Sequence, residues 1–178
     1  VIREIGKVAA SYLKQVIKDN DILAVAGGTT VKAVVDSLPK NNAHQGIMVV
    51  PYRGAMGTKV ETQANTLAAV LADKLNGSYR MLHIPDNASQ EVMDSLIKEI
   101  SIKQTVDMIH NANVLICGIG NAEHMARKRG LSEDRILELK ALGAVGEAFG
   151  CYFNAKGEAV YFTPALGIRL CDAEKIGS

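Results

Sequence analysis

The strongest constraint on the fold of this chain is a short apolar segment that ends in two glycines and two threonines. Residues 22–26 are continuously apolar and predict a buried strand, and residues 29–38 carry valine and leucine at the spacing of one helix face. The glycines at positions 27 and 28 let the backbone turn sharply without a Cβ in the way. The N–H groups at the start of the following helix then lie beside two threonine hydroxyls, which favours binding of an anion such as a phosphate.

Strand and helix patterns alternate along most of the chain. Apolar runs predict strands at residues 22–26, 47–50, 79–84 and 114–117, and amphipathic spacing predicts helices at residues 2–18, 29–38, 61–75, 90–98, 102–110, 121–129 and 132–139. The chain then changes character, and residues 152–153 and 158–162 predict a hairpin. Four strand–helix units favour an α/β fold with a parallel sheet and helices on both faces. Such sheets bind ligands at the carboxyl ends of their strands.

The composition argues against several classes of function. The net charge is +1 with both signs mixed along the chain, and aromatic residues make up only 4%, so neither a nucleic-acid footprint nor a base-stacking surface is indicated. No apolar run approaches the roughly 20 residues that cross a bilayer. The three cysteines and four histidines show no metal-ligand spacing. We therefore expect a cytoplasmic domain with reduced cysteines and without a metal, a cofactor or a membrane partner.

Three of the predicted strand ends carry glycine-rich loops, which converge on one edge in a parallel sheet. The second loop, residues 53–57, begins with Arg53, whose planar guanidinium suits a bidentate phosphate contact. Gln63 lies early in the following helix and can reach the same edge. The third loop, residues 118–120, lacks the third glycine of a dinucleotide-binding fingerprint. Alternatives stay open here, because the glycines can serve only tight turns and Arg53 can be an ordinary surface residue.

Two further charged positions have both a binding and a structural interpretation. Lys128 lies between Arg127 and Arg129, and such a basic run is either part of a phosphate site or a solvated helix end. Glu147 is a lone carboxylate among small and apolar residues, where a charge is costly unless it is paired. It can accept hydrogen bonds from sugar hydroxyls, act as an acid or base, or form a structural salt bridge.

Six stretches of the chain carry a resemblance to a known family. They are residues 25–30, 50–57, 63–66, 118–122, 146–150 and 152–157, with the sequences VAGGTT, VPYRGAMG, QANT, GIGNA, GEAFG and YFNAKG. Together they resemble the effector-binding domain of SorC/DeoR-type bacterial transcriptional regulators, and within them the group that regulates central glycolytic genes. The match covers nearly the whole chain. Its most specific part runs from Gly146 to Gly157, because no general α/β pattern would produce it.

The resemblance implies the three-layer α/β sandwich of sugar-phosphate isomerases, glucosamine-phosphate deaminases and CoA transferases, used as a sensor and not as an enzyme. It implies that residues 1–178 form an effector-binding domain, with a helix-turn-helix DNA-binding domain and the end of the effector-binding domain lying outside this sequence. The implied effector is a phosphorylated sugar, with fructose 1,6-bisphosphate as the leading candidate. The whole regulator would be a homodimer or tetramer. Binding of the effector would alter this oligomeric state and the affinity of the regulator for operator DNA.

The residues that the resemblance assigns to the effector site are Gly28, Thr29, Thr30, Arg53, Gln63, Lys128 and Glu147. The glycolytic regulators carry arginine at the position of Lys128, so this chain keeps the charge but loses the planar fork, for which Arg129 can compensate. The alternative function is an isomerase or deaminase on the same fold, which would need a base over the substrate carbon. Glu147 is the candidate base that the pattern provides. Asp86 and His83 follow a different strand and match no motif, and no residue is assigned a catalytic role.

Overall fold

The structure, a computed structural model, describes residues 1–40, 43–56, 59–86 and 88–163. Its helices are α1 (Ile2–Val16), α2 (Thr29–Ser37), α3 (Ala64–Lys74), α4 (Gln90–Leu96), α5 (Ile100–His110), α6 (Ala122–Lys128) and α7 (Glu133–Ala141). Its strands are β1 (Ile22–Val25), β2 (Met48–Pro51), β3 (Ser78–Tyr79), β4 (Val114–Ile116), β5 (Gly120–Asn121), β6 (Ala144–Ala148), β7 (Cys151–Asn154) and β8 (Ala159–Phe162). Cys171, which the sequence predicts to be reduced, lies outside the described residues. None of the helices in the described ranges is long and apolar enough to span a membrane.

A four-stranded parallel sheet in the order β3-β2-β1-β4 forms the first part of the molecule. The central strand β1 pairs with β2 on one side and with β4 on the other, so that Ala24 lies opposite both Val50 and Leu115. Leu23, Ala24 and Val25 are completely buried. A central strand covered on both faces needs an apolar side chain at every position, which explains why β1 is a continuous apolar run without alternation.

Helices flank the parallel sheet and enclose the main core. Helix α1 packs on α2, α3 packs on β1, β2 and β3, and α5 packs on β1 and β2. The buried side chains come mainly from β1, β2, α2 and α3, and Leu13 of α1 and Ile109 of α5 join the same cluster. This arrangement confirms the predicted α/β fold, a parallel-sheet three-layer sandwich.

A second sheet is antiparallel, with the strand order β5-β6-β7-β8. Helices α6 and α7 pack beside it around a small core that includes Ala126, Ile136 and Tyr152. The sequence predicts the hairpin of β7 and β8 but misses β5 and β6. Strand β5 has only two residues, and β6 contains Gly146 because a Cβ there would lie 2.4 Å from the ring of Phe153. A strand so short, or with a glycine at its centre, lacks the alternating apolar pattern that sequence reasoning needs.

The predicted strand at residues 79–84 is wrong in its extent, because β3 covers only two residues. Beyond β3 the side chain of Asn65 takes the place of a strand partner. Its Oδ1 accepts from the Leu82 N–H at 2.9 Å, and its Nδ2 donates to the Leu82 carbonyl at 3.1 Å. Pro85 then forms an isolated parallel bridge with Ala55. These contacts carry the chain from β3 to the edge of the sheet at which β2 ends.

The predicted helix bounds hold to within about two residues except at α3. The segment predicted as one helix over residues 61–75 is a 3₁₀ turn at Val60–Thr62 followed by α3. Gln63 separates the two with an extended backbone, φ −74° and ψ 145°. The break matters because the 3₁₀ turn presents its last carbonyl, that of Thr62, to the glycine turn after β1.

Candidate functional site

The carboxyl ends of β1, β2 and β4 lie side by side, because these strands are neighbours in the parallel sheet. The three glycine-rich loops that follow them therefore meet at one edge, as the sequence predicts. Gly28, Met56 and Gly118 of these loops line one cleft with a volume of about 810 Å³. Helix α6 adds Lys128 to its wall, and β6 adds Glu147.

The N-terminus of α2 opens into this cleft. Gly28 precedes the helix with φ +124° and ψ 161°, a conformation that residues with a side chain rarely adopt. Its N–H donates to the Thr62 carbonyl at 2.8 Å, which holds the glycine turn against the 3₁₀ turn. Gly28 offers no side chain to cap the helix, and Thr29 and Thr30 line the cleft. The N–H groups of the first turn and the positive end of the helix dipole are therefore directed at the cleft.

Basic side chains surround the mouth of the cleft. Lys59, Arg127 and Lys128 all line it. Arg127 forms ion pairs with Glu123 of α6 and Glu133 of α7, whereas Lys59 and Lys128 are exposed to solvent. The two lysines and the dipole of α2 contribute positive potential to the cleft.

A smaller cavity of about 60 Å³ lies next to the cleft on its inner side, and Arg53 forms part of its wall. The Arg53 side chain is only 2% exposed, so the alternative of an ordinary surface residue is excluded. Its Nε donates to Asp86 Oδ1 at 2.7 Å, and its Nη2 donates to Thr163 Oγ1 at 3.1 Å. The Arg53 guanidinium is therefore buried in the wall of this cavity, and hydrogen bonds to Asp86 and Thr163 fix its orientation.

Glu147 and Arg129 extend this ion pair into a row of four alternating charges. Arg129 bonds Asp86 Oδ2 through Nη1, and its Nη2 donates to Glu147 Oε1 at 2.9 Å. The same Glu147 oxygen accepts from the Gly150 N–H at 2.7 Å. We call Arg53, Asp86, Arg129 and Glu147 the buried charge chain, and each of its side chains is at most 7% exposed. Of the alternatives left open for Glu147, a salt bridge is observed.

The buried charge chain joins the two sheets. Arg53 and Asp86 follow β2 and β3 of the parallel sheet, whereas Arg129 ends α6 and Glu147 lies in β6 of the antiparallel sheet. Gly150, in the turn between β6 and β7, has φ +75°, and a Cβ there would lie 1.7 Å from Arg53 Nη1. This turn needs glycine both for its backbone conformation and for the close approach of the guanidinium.

Burial and charge set the protonation of groups around the chain. Burial alone would lower the pKa of Arg129, but the carboxylates of Asp86 and Glu147 outweigh it, and this pKa is raised. Burial raises the pKa of Tyr52 to about 12 and the pKa of Cys117 to about 11. The Cys117 thiol, which lines the deep cavity, is therefore a weak nucleophile at neutral pH. Within the described ranges, no group of three or more His, Cys, Asp or Glu side chains is placed to hold a metal ion.

Comparison with known proteins identifies the family. Residues 1–177 match the family described as "Putative sugar-binding domain". The chain belongs to this sugar-binding family. The Central glycolytic genes regulator of Bacillus subtilis (strain 168) is 38% identical to the sugar-binding domain over 176 residues, which cover 99% of this chain and 52% of the relative. The regulator of the same name from Priestia megaterium (strain DSM 319 / IMG 1521) is 39% identical over 173 residues, covering 97% of this chain and 51% of the relative.

Solved structures agree with this assignment. A chain from Enterococcus faecalis, described as a "putative SorC family transcriptional regulator", shares 35% identity and a TM-score of 0.88 with the sugar-binding domain, over 98% of this chain and 72% of that one. The full-length sorbitol operon regulator SorC from Klebsiella pneumoniae shares the fold at 17% identity and a TM-score of 0.87, over 99% of this chain and 58% of that one. The predicted membership in the SorC family is confirmed, and the two regulators of central glycolytic genes are relatives at 38% and 39% identity. The chain spans about half the length of the curated relatives it matches.

The sugar-binding domain brings most of the predicted site residues to one place. Those that line the cleft are Gly28, Thr29, Thr30, Lys128 and Glu147. Arg53 lies in the wall of the deep cavity instead. Gln63 is the N-cap residue of α3, and its neighbours Thr62 and Ala64 line the deep cavity. The role of these seven residues in binding an effector stays a prediction.

Sequence reasoning passed over Asp86, the central carboxylate of the charge chain. The position of Asp86 in the sequence was the signal that could have found it. Asp86 comes directly after Pro85 and follows β3, a parallel strand whose carboxyl end lies at the same edge of the sheet as the cleft. Arg129, which by sequence could compensate for the planar fork missing at position 128, is 4% exposed and paired with two carboxylates. Its neighbour Lys128, by contrast, is exposed to solvent.

Proposed function

We propose that this domain binds a phosphorylated sugar in the cleft and acts as the effector-sensing part of a bacterial transcriptional regulator. One observation carries the proposal, the meeting of three anion-binding features in a single cleft. They are the N-terminus of α2, the hydroxyls of Thr29 and Thr30, and the ammonium group of Lys128. Membership in a sugar-binding family accounts for the sugar, and these features account for its phosphate.

The size and lining of the cleft suit a small bisphosphate. A volume of about 810 Å³ falls within the range of small-molecule sites. One phosphate binds at the start of α2, and Lys59 and Lys128 supply positive charge for the other. Arg129 and Gly150 both donate to Oε1 of Glu147, and Glu147 lines the cleft, so we assign its Oε2 to the sugar hydroxyls. Because relatives are named regulators of central glycolytic genes, fructose 1,6-bisphosphate is our leading candidate.

Binding of the effector controls transcription through the rest of the regulator in this proposal. A segment outside this domain contacts operator DNA, and the protein works in the cytoplasm as a homodimer or tetramer. The effector must bind one quaternary arrangement more tightly than another, because an effector with equal affinity for both cannot change the affinity for DNA. The proposal needs no cofactor and assigns no catalytic residue.

The alternative function, an isomerase or deaminase, depends on Glu147 as the general base. Such a base must reach a substrate proton and then pass it on. The Glu147 side chain is 4% exposed, and its side-chain partner is the Arg129 guanidinium. This guanidinium does not lose its proton near neutral pH, so it cannot pass on a proton from Glu147. A carboxylate held in this way favours binding of the sugar over proton transfer.

Calorimetric titration of the domain tests the proposal, with fructose 1,6-bisphosphate, fructose 6-phosphate, fructose and inorganic phosphate as ligands. We expect saturable binding of the bisphosphate, weaker binding of the monophosphate and no binding of fructose, because charge-assisted contacts to phosphate dominate the affinity. Chromatography of the ligands after incubation is expected to recover them unchanged. Failure of both phosphorylated sugars to bind would contradict the sensor, and conversion of either would favour the enzyme.

A further inference from the structure

We propose that Asp86 is a positioning residue for effector binding, which holds the guanidinium groups of Arg53 and Arg129 together at the deep end of the cleft. The inference rests on the proposed phosphosugar function and extends it to a residue with no motif of its own. Asp86 acts through the two arginines, since both of its carboxylate oxygens are bonded to them.

The bridge made by Asp86 is buried and uses the two oxygens for two different arginines. Oδ1 accepts from Arg53 Nε at 2.7 Å, and Oδ2 is bonded to Arg129 Nη1. The side chains of Asp86, Arg53 and Arg129 are 7%, 2% and 4% exposed. Two guanidinium groups this deeply buried repel each other because little water screens them, and the carboxylate between them offsets that repulsion.

The bridge fixes where the other donors of the arginines point. Both arginines line the deep cavity, together with Glu147 and Phe149. Arg129 Nε is buried without a hydrogen bond of good geometry in the part of the chain that the structure describes, and the buried Tyr152 hydroxyl lies close to the same guanidinium. A buried donor of this kind is costly unless it finds an acceptor. An effector oxygen that enters the cavity would meet guanidinium groups held in place by the same carboxylate.

The charge balance distinguishes positioning from simple attraction. Arg53 and Arg129 carry two positive charges, and Asp86 and Glu147 carry two negative ones, so the buried charge chain has no net charge. Removal of the Asp86 charge adds a net positive charge near the ligand, which by attraction alone would strengthen the binding of an anion. If Asp86 positions the arginines, the same change misplaces their donors and weakens binding. The sign of the change in affinity therefore separates the two roles.

The test is calorimetric titration of the domain carrying Asp86→Asn with fructose 1,6-bisphosphate and with inorganic phosphate. We expect the affinity for the bisphosphate to fall about tenfold or more at unchanged stoichiometry. The affinity for inorganic phosphate should change less than about threefold, because the start of α2 does not depend on Asp86. Asp86→Glu keeps the charge and is expected to recover part of the loss. Asp94→Asn, an exposed acid on α4, is the matched control and should change neither affinity.

Three results would count against the inference, and they are distinguishable. Unchanged or tighter binding of the bisphosphate by Asp86→Asn would overturn it and leave the proposed function standing. An equal loss for both ligands with reduced stoichiometry would show that Asp86 acts on the fold alone, which also overturns it. If the unsubstituted domain binds neither fructose 1,6-bisphosphate nor fructose 6-phosphate, the proposed function fails, and the inference fails with it.

Discussion

Replacing Arg129 by alanine is expected to lower the free energy of unfolding of the domain by about 3–5 kcal/mol. The substitution leaves Glu147 buried without the guanidinium that pairs with it, and it leaves Asp86 with Arg53 alone. A buried charge without a partner is costly because little water reaches it. Urea denaturation at equilibrium, followed by circular dichroism, measures the change.

Arg127→Ala is a matched control, two residues earlier at the end of the same helix. Arg127 also pairs with two acids, Glu123 and Glu133, but its side chain is 49% exposed. Water and salt screen such pairs, so we expect little change in stability. If the two variants lose equal amounts of unfolding free energy, burial does not make the ion pairs of the buried charge chain more important for stability than exposed ones.

Replacing Lys128 by alanine is expected to weaken the binding of fructose 1,6-bisphosphate about tenfold to a hundredfold, because a charge-assisted contact is lost. Lys128 lines both the cleft and the deep cavity, and its side chain is exposed to solvent. Its removal should therefore leave the melting temperature of the domain nearly unchanged. Calorimetric titration and thermal unfolding of the same sample measure the two quantities.

Two further variants control for the effect of charge. Lys14→Ala removes an exposed lysine from α1, which lines neither cavity, and should leave the affinity unchanged. Lys128→Arg keeps the charge and adds a planar fork, so we expect it to bind at least as tightly as the unsubstituted domain. An unaltered affinity in Lys128→Ala would remove this residue from the proposed site.

The parallel sheet and its cleft were predictable because their signals are local. The side chains of Leu23, Val25, Val49 and Val50 are completely buried, so β1 and β2 are visible as apolar runs. The turn after β1 requires a positive φ at position 28, which favours glycine, so the position of this turn is visible in the sequence. Convergence of the loops then follows from the geometry of parallel strands.

The buried charge chain was not predictable, because its members are distant in sequence. Asp86 lies 33 residues from Arg53 and 43 residues from Arg129, and no helix or strand period links them. Glu147 is recognisable as a buried charge, but its partner becomes evident only when β6 is placed beside α6. The second sheet, whose first two strands lack an alternating pattern, provides that placement.

A crystal structure of the domain with fructose 1,6-bisphosphate tests the proposed binding mode most directly. We predict one phosphate on the backbone N–H groups at the start of α2, beside Thr29 and Thr30, with the Lys128 ammonium group in contact with a phosphate and a sugar hydroxyl at Glu147. Density for the sugar outside this cleft, or for a ligand in the cleft with both phosphates away from α2, would contradict it.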